Sequence, residues 1–311
     1  MHDRRQADQP YHQGELRVQS RFGVAGEAQA LSRLASQALI PPRAVPFLES
    51  QRVVVAATLG ASARRGAWLV WDHEPVLQVM DAGEVVLRAS PAVLRPVVED
   101  VRATGRLGLL AIDLNSRRRM KLKGTASFEG GAVRLGVERA YALCPKYIQR
   151  RALSGDGSSR ATEPKVTINE RLSERQQRIV DAADTFFIAT FHPASGSDAS
   201  HRGGMPGFVR AVSGSTIEFH DYPGNNMFNT LGNLEIDAGI SLLFPDFRVG
   251  STLHLSGSAS VVSSDASSGS RPSVRLVRMS IERVEERSAL GGPAGPLLEY
   301  SSWNPPSNAA A

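Results

Sequence analysis

The chain has 311 residues, 41% of them hydrophobic, and a formal net charge of +5 from 36 basic and 31 acidic side chains. That length suffices for two globular domains, and so small a charge excess does not ask for a nucleic-acid surface. A single cysteine excludes an intramolecular disulfide, no apolar run reaches membrane-spanning length, and the opening MHDRRQADQPYHQGE lacks a signal-peptide core; a soluble cytoplasmic protein with no membrane partner is expected.

Residues 1–26 are polar and read as an arm. From Glu27 the spacing of Leu31, Leu34, Ala35, Ala38 and Leu39 predicts a helix, which Pro41-Pro42 stops. The pattern then changes to period two or short apolar runs. It predicts strands over 52–59, 67–71, 76–80 and 84–89, and a short helix over 93–101 closed by Gly105. Strands over 107–114, 119–128 and 132–143 follow. A mostly antiparallel sheet with one or two helices is the pattern of a small closed barrel. Residues 154–165, SGDGSSRATEPK, read as a linker. Ser173 with Gln176 then predicts a capping box, followed by a buried strand over 185–191.

The stretch 198–233 carries the densest signals. A Gly-rich basic loop, His201-Arg202-Gly203-Gly204, precedes short strands over 207–212 and 216–222. Pro223-Gly224-Asn225-Asn226 then leads to a helix opening at Met227. Glycine lets backbone approach a ligand closely, a helix start favours an anion, and Arg202 and Arg210 offer forked donors suited to phosphate. An ordinary hairpin accounts for the same residues. Further strands are predicted over 239–247, 252–262 and 274–284, with a Ser-rich hairpin loop over 263–273 and an irregular tail. Arg275–Glu286 also reads as helix, but the alternation of Val277, Met279 and Ile281 favours a strand.

The two halves repeat each other. LLAIDLNSRRRMKLKGTA lies over LLFPDFRVGSTLHLSGSA without a gap, at an offset of 133 (246 − 113 for Asp113 and Asp246, 257 − 124 for Gly124 and Gly257). The predicted organisation is an arm and helix (1–47), a first unit (48–153), a linker (154–171) and a second unit with a C-terminal tail (172–311). A duplicated domain packed on itself as a covalent pseudo-dimer is the natural reading.

The tandem units, ASHRGGMPGFVR, HDYPGNNMFNTLGN and ALCPKYIQR resemble the pyridoxamine-5′-phosphate-oxidase-like proteins, and more closely their two-barrel flavin-nucleotide-binding group. The resemblance implies a mainly β, α+β fold of two split barrels, with FMN in the groove between them. Carried over by position, Phe208 and Arg210 lie on the strand along the flavin, and Tyr222, Asn225 and Asn226 in the loop that meets the phosphate. The family's usual Ser and Lys are absent there: Asn225 and Met227 stand in their places. Arg202, or a cation from the other barrel, would substitute. Arg119 and Lys121 lie on the strand through which the partner barrel reaches the flavin; the second copy of that strand has lost its charges, so one site is expected. Arg117–Lys123 reads equally as a solvated basic edge.

His201 and His220 flank the candidate loop and could donate to the ring or a substrate. Cys144 has no base beside it in sequence and reads as a small buried hydrophobe. The histidines form no spaced metal-ligand set. Two functions follow: an FMN-dependent oxidoreductase acting on a small molecule, with electrons from NAD(P)H or a reductase, or a non-catalytic flavin or small-molecule binder or scaffold. A homodimer is compatible with either.

Overall fold

The structure, a computed structural model, describes residues 10–35, 37–153, 164–263, 275–288 and 292–306. Helices α1 (Gln13–Arg21), α2 (Ala25–Ala30), α3 (Ser32–Ala35) and α4 (Val45–Glu49) lead into β1 (Val53–Leu59), β2 (Arg65–Trp71), β3 (Leu77–Asp81) and β4 (Glu84–Leu87). Helix α5 (Pro91–Thr104) precedes β5 (Arg106–Asp113), β6 (Arg118–Glu129), β7 (Ala132–Leu143) and the short β8 (Arg150–Arg151). After β9 (Lys165–Asn169) and α6 (Glu174–Asp181) come β10 (Thr185–His192), β11 (Gly196–Gly203), β12 (Val209–Ser213) and β13 (Thr216–His220). Helix α7 (Asn229–Leu234), β14 (Gly239–Asp246), β15 (Ser251–Ser263), β16 (Arg275–Ser288) and β17 (Leu297–Glu299) complete the chain.

The protein is mainly β, with all paired strands antiparallel. One sheet runs β2-β1-β5-β6-β7-β4-β3 and the other β11-β10-β14-β15-β16-β13-β12, with β9 also on β16. Against the closed barrel expected from the sequence, neither sheet closes on itself among the described residues, because the outermost strands β2 and β3, and β11 and β12, do not pair with each other. The two orders match strand for strand. Register matches too: Leu110 faces Lys121, and Leu243 faces His254. Each long hairpin also shifts register at the repeated glycine, between Lys123 and Gly124 and between Ser256 and Gly257. A Cβ at Gly124 would lie 1.9 Å from the Gly136 carbonyl oxygen, and one at Gly257 2.0 Å from that of Ser280. Only glycine lets the bulged strand come this close.

Each half has its own apolar core. Val54, Trp68, Leu87, Val97 and Leu122 belong to the first, and Phe186, Phe219, Leu231, Phe244 and Met279 to the second. A third cluster joins the halves: Val55, Leu110 and Ile112 from the first meet Phe187, Ala199 and Leu243 from the second. Its burial draws β1, β2 and β5 against β10, β11 and β14.

Several elements depart from the sequence expectations. The arm contains α1, whose Val18 and the following Phe22 enter the second core. His12 caps it: Nδ1 accepts from Gly14 N (3.1 Å) and Glu15 N (3.4 Å), while Glu15 accepts from His12 N. A Cβ on Gly14 would sit 2.0 Å from the Gly232 carbonyl oxygen, so a glycine there lets α1 cross close over α7. The helix expected from Glu27 is broken at Leu31 into α2 and α3. Residues 165–169, inside the expected linker, form β9 along β16. The remaining linker stretch, 154–163, and the Ser-rich loop, 264–274, lie outside the described residues. The Ser173–Gln176 capping box is present, and 275–288 is a strand.

Candidate functional site

A cleft opens where the two halves meet, with an empty volume of about 790 Å³ including its mouth. The first half supplies Arg119 and Lys121 from β6 and Cys144, Lys146 and Tyr147 from the segment after β7. The second supplies Ser200, His201 and Arg202 from β11, and the loop and helix from His220 to Leu231.

His201 and Arg202 are not in a glycine loop, as the sequence suggested, but in β11, opposite Phe187 and Phe186 of β10. This strand, GSDASHRG, is polar yet almost wholly buried, because the first half covers the face that would otherwise meet water. Its polar groups must therefore find partners within the protein. Arg119 provides one set. Its Nε donates to the Cys144 carbonyl oxygen at 2.8 Å, Nη2 to that of Lys146 at 3.3 Å, and Nη1 to His201 Nδ1 at 3.0 Å. All three acceptors are uncharged, and Arg119 has no carboxylate partner among the described residues. Burial lowers its pKa, opposed by the Cys144 side chain and aided slightly by Arg202. Arg202 is paired: Nη2 lies 2.9 Å from Asp221 Oδ1, and Arg275 shares that carboxylate at 3.6 Å. Among the described residues its Nε is buried without a partner, as is His201 Nε2.

Lys121 lies on the cleft floor, but its ammonium is engaged. It donates to Asp198 Oδ1 (2.7 Å), Asp198 Oδ2 (2.8 Å) and Ser200 Oγ (2.8 Å), so its three protons are used. Burial lowers its pKa to about 8 against the pull of Asp198. Burial alone would raise Asp198, but Lys121 and Lys123 outweigh it and hold the carboxyl below the usual range. The pair is therefore ionised at neutral pH. Sequence reading had offered Lys121 as a free cation for an anion; the structure gives that charge to Asp198 instead.

Beneath the floor, Asn229 links the N-terminal helix to this pair. Its Nδ2 donates to Glu15, and its Oδ1 accepts from Tyr141 Oη at 2.8 Å and lies 3.5 Å from Lys121 Nζ. Burial raises the Glu15 pKa and lifts Tyr141 well above its usual value. His12 Nε2 lies 3.0 Å from Asn233 Oδ1, and its ring stacks on His192 at 3.8 Å. Burial pushes both imidazoles down to about 4, with His12 contributing to the His192 shift. None of Glu15, Asp198, Tyr141 or Asn229 was singled out from sequence. A polar residue in a strand or arm carries no periodic signal of burial.

At the mouth, Tyr222 packs 5.4 Å from Tyr147, whose hydroxyl donates to the Pro223 carbonyl oxygen at 2.8 Å. Asn226 and Phe228 have positive φ, 58° and 61°, and bend the loop so that α7 begins at Asn229 rather than Met227. Asn225 lines the cleft, but its side chain is tied to Met227: Oδ1 accepts from Met227 N at 3.2 Å, and Nδ2 meets the sulfur at 2.9 Å. Cys144, expected to be a buried hydrophobe, is half-buried on the cleft wall, 3.7 Å from Arg119 Nη2.

Of the residues selected from sequence, the cleft gathers Arg119, Lys121, His201, Arg202, Tyr222, Asn225 and Asn226. Phe208 and Arg210 lie elsewhere. Phe208 is buried against Phe186 in the second core, with centroids 5.4 Å apart. Arg210 is exposed on β12, the outermost strand of its sheet, where alternation with the buried Val209 turns it to solvent.

The repeat-related position is filled. Lys121 corresponds to His254 (254 − 121 = 133), which is buried. Its Nδ1 donates to the Ala67 carbonyl oxygen at 2.8 Å, and its Nε2 accepts from Thr252 Oγ1 at 2.7 Å. Trp68 packs 5.1 Å from this ring and donates through Nε1 to Asp100 Oδ2 at 2.9 Å.

No protein-family model and no curated protein matches this chain. Solved structures that align with it include a FAD-binding protein from Mesorhizobium loti, at 12% identity over 40% of this chain and 98% of its own, with a TM-score of 0.28. A FAD-binding protein from Mycobacterium smegmatis aligns at 18% identity over 40% and 98%, with a TM-score of 0.25. A protein from Clostridium acetobutylicum related to general stress protein 26, of the pyridoxinephosphate oxidase family, aligns at 12% identity over 39% and 89%, with a TM-score of 0.28. At these values the similarity is one of fold alone.

Proposed function

We propose that the chain is a tandem pair of split barrels, packed as a pseudo-dimer, that binds FMN in the cleft between them and serves as a flavin-dependent oxidoreductase. The observation that carries this reading is Arg119: a guanidinium from one half, without a carboxylate partner among the described residues, in a cleft completed by the other half. A part-buried guanidinium whose contacts are carbonyl oxygens, an imidazole and the Cys144 sulfur favours an anionic, acceptor-rich ligand. The donors without partners among the described residues, His201 Nε2 and Arg202 Nε, fit the same kind of group. FMN would supply reversible two-electron chemistry, with NAD(P)H or a reductase as the donor. The chain's own part is to hold it. Arg119 and Arg202 would meet its anionic end, Tyr147 and Tyr222 would flank its ring, and Lys121, locked by Asp198, would keep the floor rigid.

A second reading, a non-catalytic flavin or small-molecule binder, is favoured by one observation. The Asn225 amide, where the family's phosphate-binding Ser stands, is occupied by Met227. Titration separates these possibilities. FMN should bind about ten- to a hundredfold more tightly than riboflavin, the value of one charge-assisted hydrogen bond to the phosphate. Arg119→Met should remove most of that difference. Equal affinity for the two flavins, or none for either, would overturn the flavin reading. Tight FMN binding without reduction by NAD(P)H or a reductase would select the non-catalytic one.

A further inference from the structure

The contact between Arg119 and His201 fixes more than position. A guanidinium has donors only, so His201 Nδ1, 3.0 Å from Arg119 Nη1, must accept. The ring proton of a neutral imidazole then resides on Nε2. Arg119 cannot turn away easily, because the carbonyl oxygens of Cys144 and Lys146 hold its other nitrogens. His201 is held by the β10–β11 register and by Phe187, edge-on at 5.7 Å. The imidazole is 4% exposed, and burial together with Arg119 and Arg202 keeps it neutral, its pKa well below the usual value. A neutral, single-tautomer donor results, and Nε2 has no partner among the described residues. A buried donor left unpaired is costly, so an acceptor that reaches it is favoured.

Resting on the cleft reading above, we propose that Arg119 and His201 form a recognition couple. The locked Nε2–H reads a lone-pair acceptor on the ligand, a carbonyl oxygen or an unprotonated ring nitrogen, while Arg119, besides meeting the anionic end, fixes the imidazole's tautomer through Nδ1. The guanidinium behind Nδ1 draws electron density through the ring and strengthens the Nε2–H as a donor. Binding is thereby biased toward ligand forms that carry negative charge at that atom. A ligand offering an N–H there meets a donor with a donor and is rejected.

The tautomer can be read without any ligand. In ¹⁵N-histidine-labelled protein, the ring correlations of His201, assigned by their loss in His201→Gln, should show the Nε2–H form unchanged from about pH 8 to about pH 5. The Nδ1–H form, or an imidazolium at about pH 6, would overturn the couple. Arg119→Lys keeps a donor at Nδ1 and should keep the tautomer; Arg119→Met should release it into a mixture. With FMN as probe, His201→Gln, whose amide reaches toward the Nε2 position, should bind nearly as the parent. His201→Asn, which reaches only the Nδ1 position, should bind roughly tenfold more weakly. Equal binding by the two variants would overturn the ligand half of the proposal. Failure of the parent to bind FMN would overturn the flavin reading and that half with it, while the locked tautomer would be judged separately by its spectrum.

Discussion

Replacing His12 with asparagine should flatten the acid side of the stability profile. Asparagine can still cap α1, since its side-chain oxygen can accept the amide protons that His12 Nδ1 now takes from Gly14 and Glu15. What it lacks is a titrating ring. His12 is held at about 4 by burial in the folded chain, below the 6.5 of a free imidazole. The unfolded chain therefore takes up the proton first. Stability present at neutral pH is lost as pH falls from about 6.5 toward about 4. For a ring shifted this far, the loss between about pH 7.5 and pH 5 is about 2 kcal/mol at about 1.36 kcal/mol per pH unit. Solvent at the edge of the His12–His192 stack trims this to about 1–2 kcal/mol. Urea unfolding at a series of pH values measures it. His12→Asn should cost about 1 kcal/mol at about pH 7.5, through loss of the stack and the Asn233 bond, yet lose less than the parent on acidification. If parent and variant lose stability in parallel down to about pH 5, the ring is not buried in its neutral form and the reasoning fails.

Lys121→Met should destabilise the fold by about 3–5 kcal/mol, because it leaves Asp198 charged and buried; adding Asp198→Asn should recover much of the loss in urea unfolding. Recovery of nothing would mean that packing, not charge, governs the site. Gly257→Ala should cost about 1–3 kcal/mol in thermal unfolding, since its Cβ would strike the Ser280 carbonyl oxygen. Gly26→Ala, in α2 with open space around the new methyl, should be neutral or slightly stabilising, and the contrast between the two is the test.

The strands and the repeat were legible in the sequence because apolar alternation and a repeated glycine are local signals. Gly124 and Gly257, read as places where the sheet bends, mark the two bulges. Arg119 and Lys121 of the basic strand and the loop of the second half line one cleft. The floor of the cleft was not legible. Asp198 and Ser200 look like a solvated turn in sequence, because their burial comes from the other half of the chain. Helix α1 escaped notice for a related reason. Its cap is a histidine, outside the usual Ser, Thr, Asp and Asn, and its polar Glu15 and Gln19 are buried against α7 and the cleft loop. Arg210 failed in the opposite direction: a phosphate-suited residue in a promising stretch was turned outward by strand alternation.

The two positions related by the offset of 133 do opposite work. His254 bonds to the backbone of the opposite half and its neighbour Trp68 is tied to Asp100, so that groove is filled and joins the halves. Lys121, at the matching position, instead lines an open cleft, with its buried charge held by Asp198. Emptying the filled groove with Trp68→Ala would therefore be expected to loosen the junction between the halves well before it created a second place for a ligand.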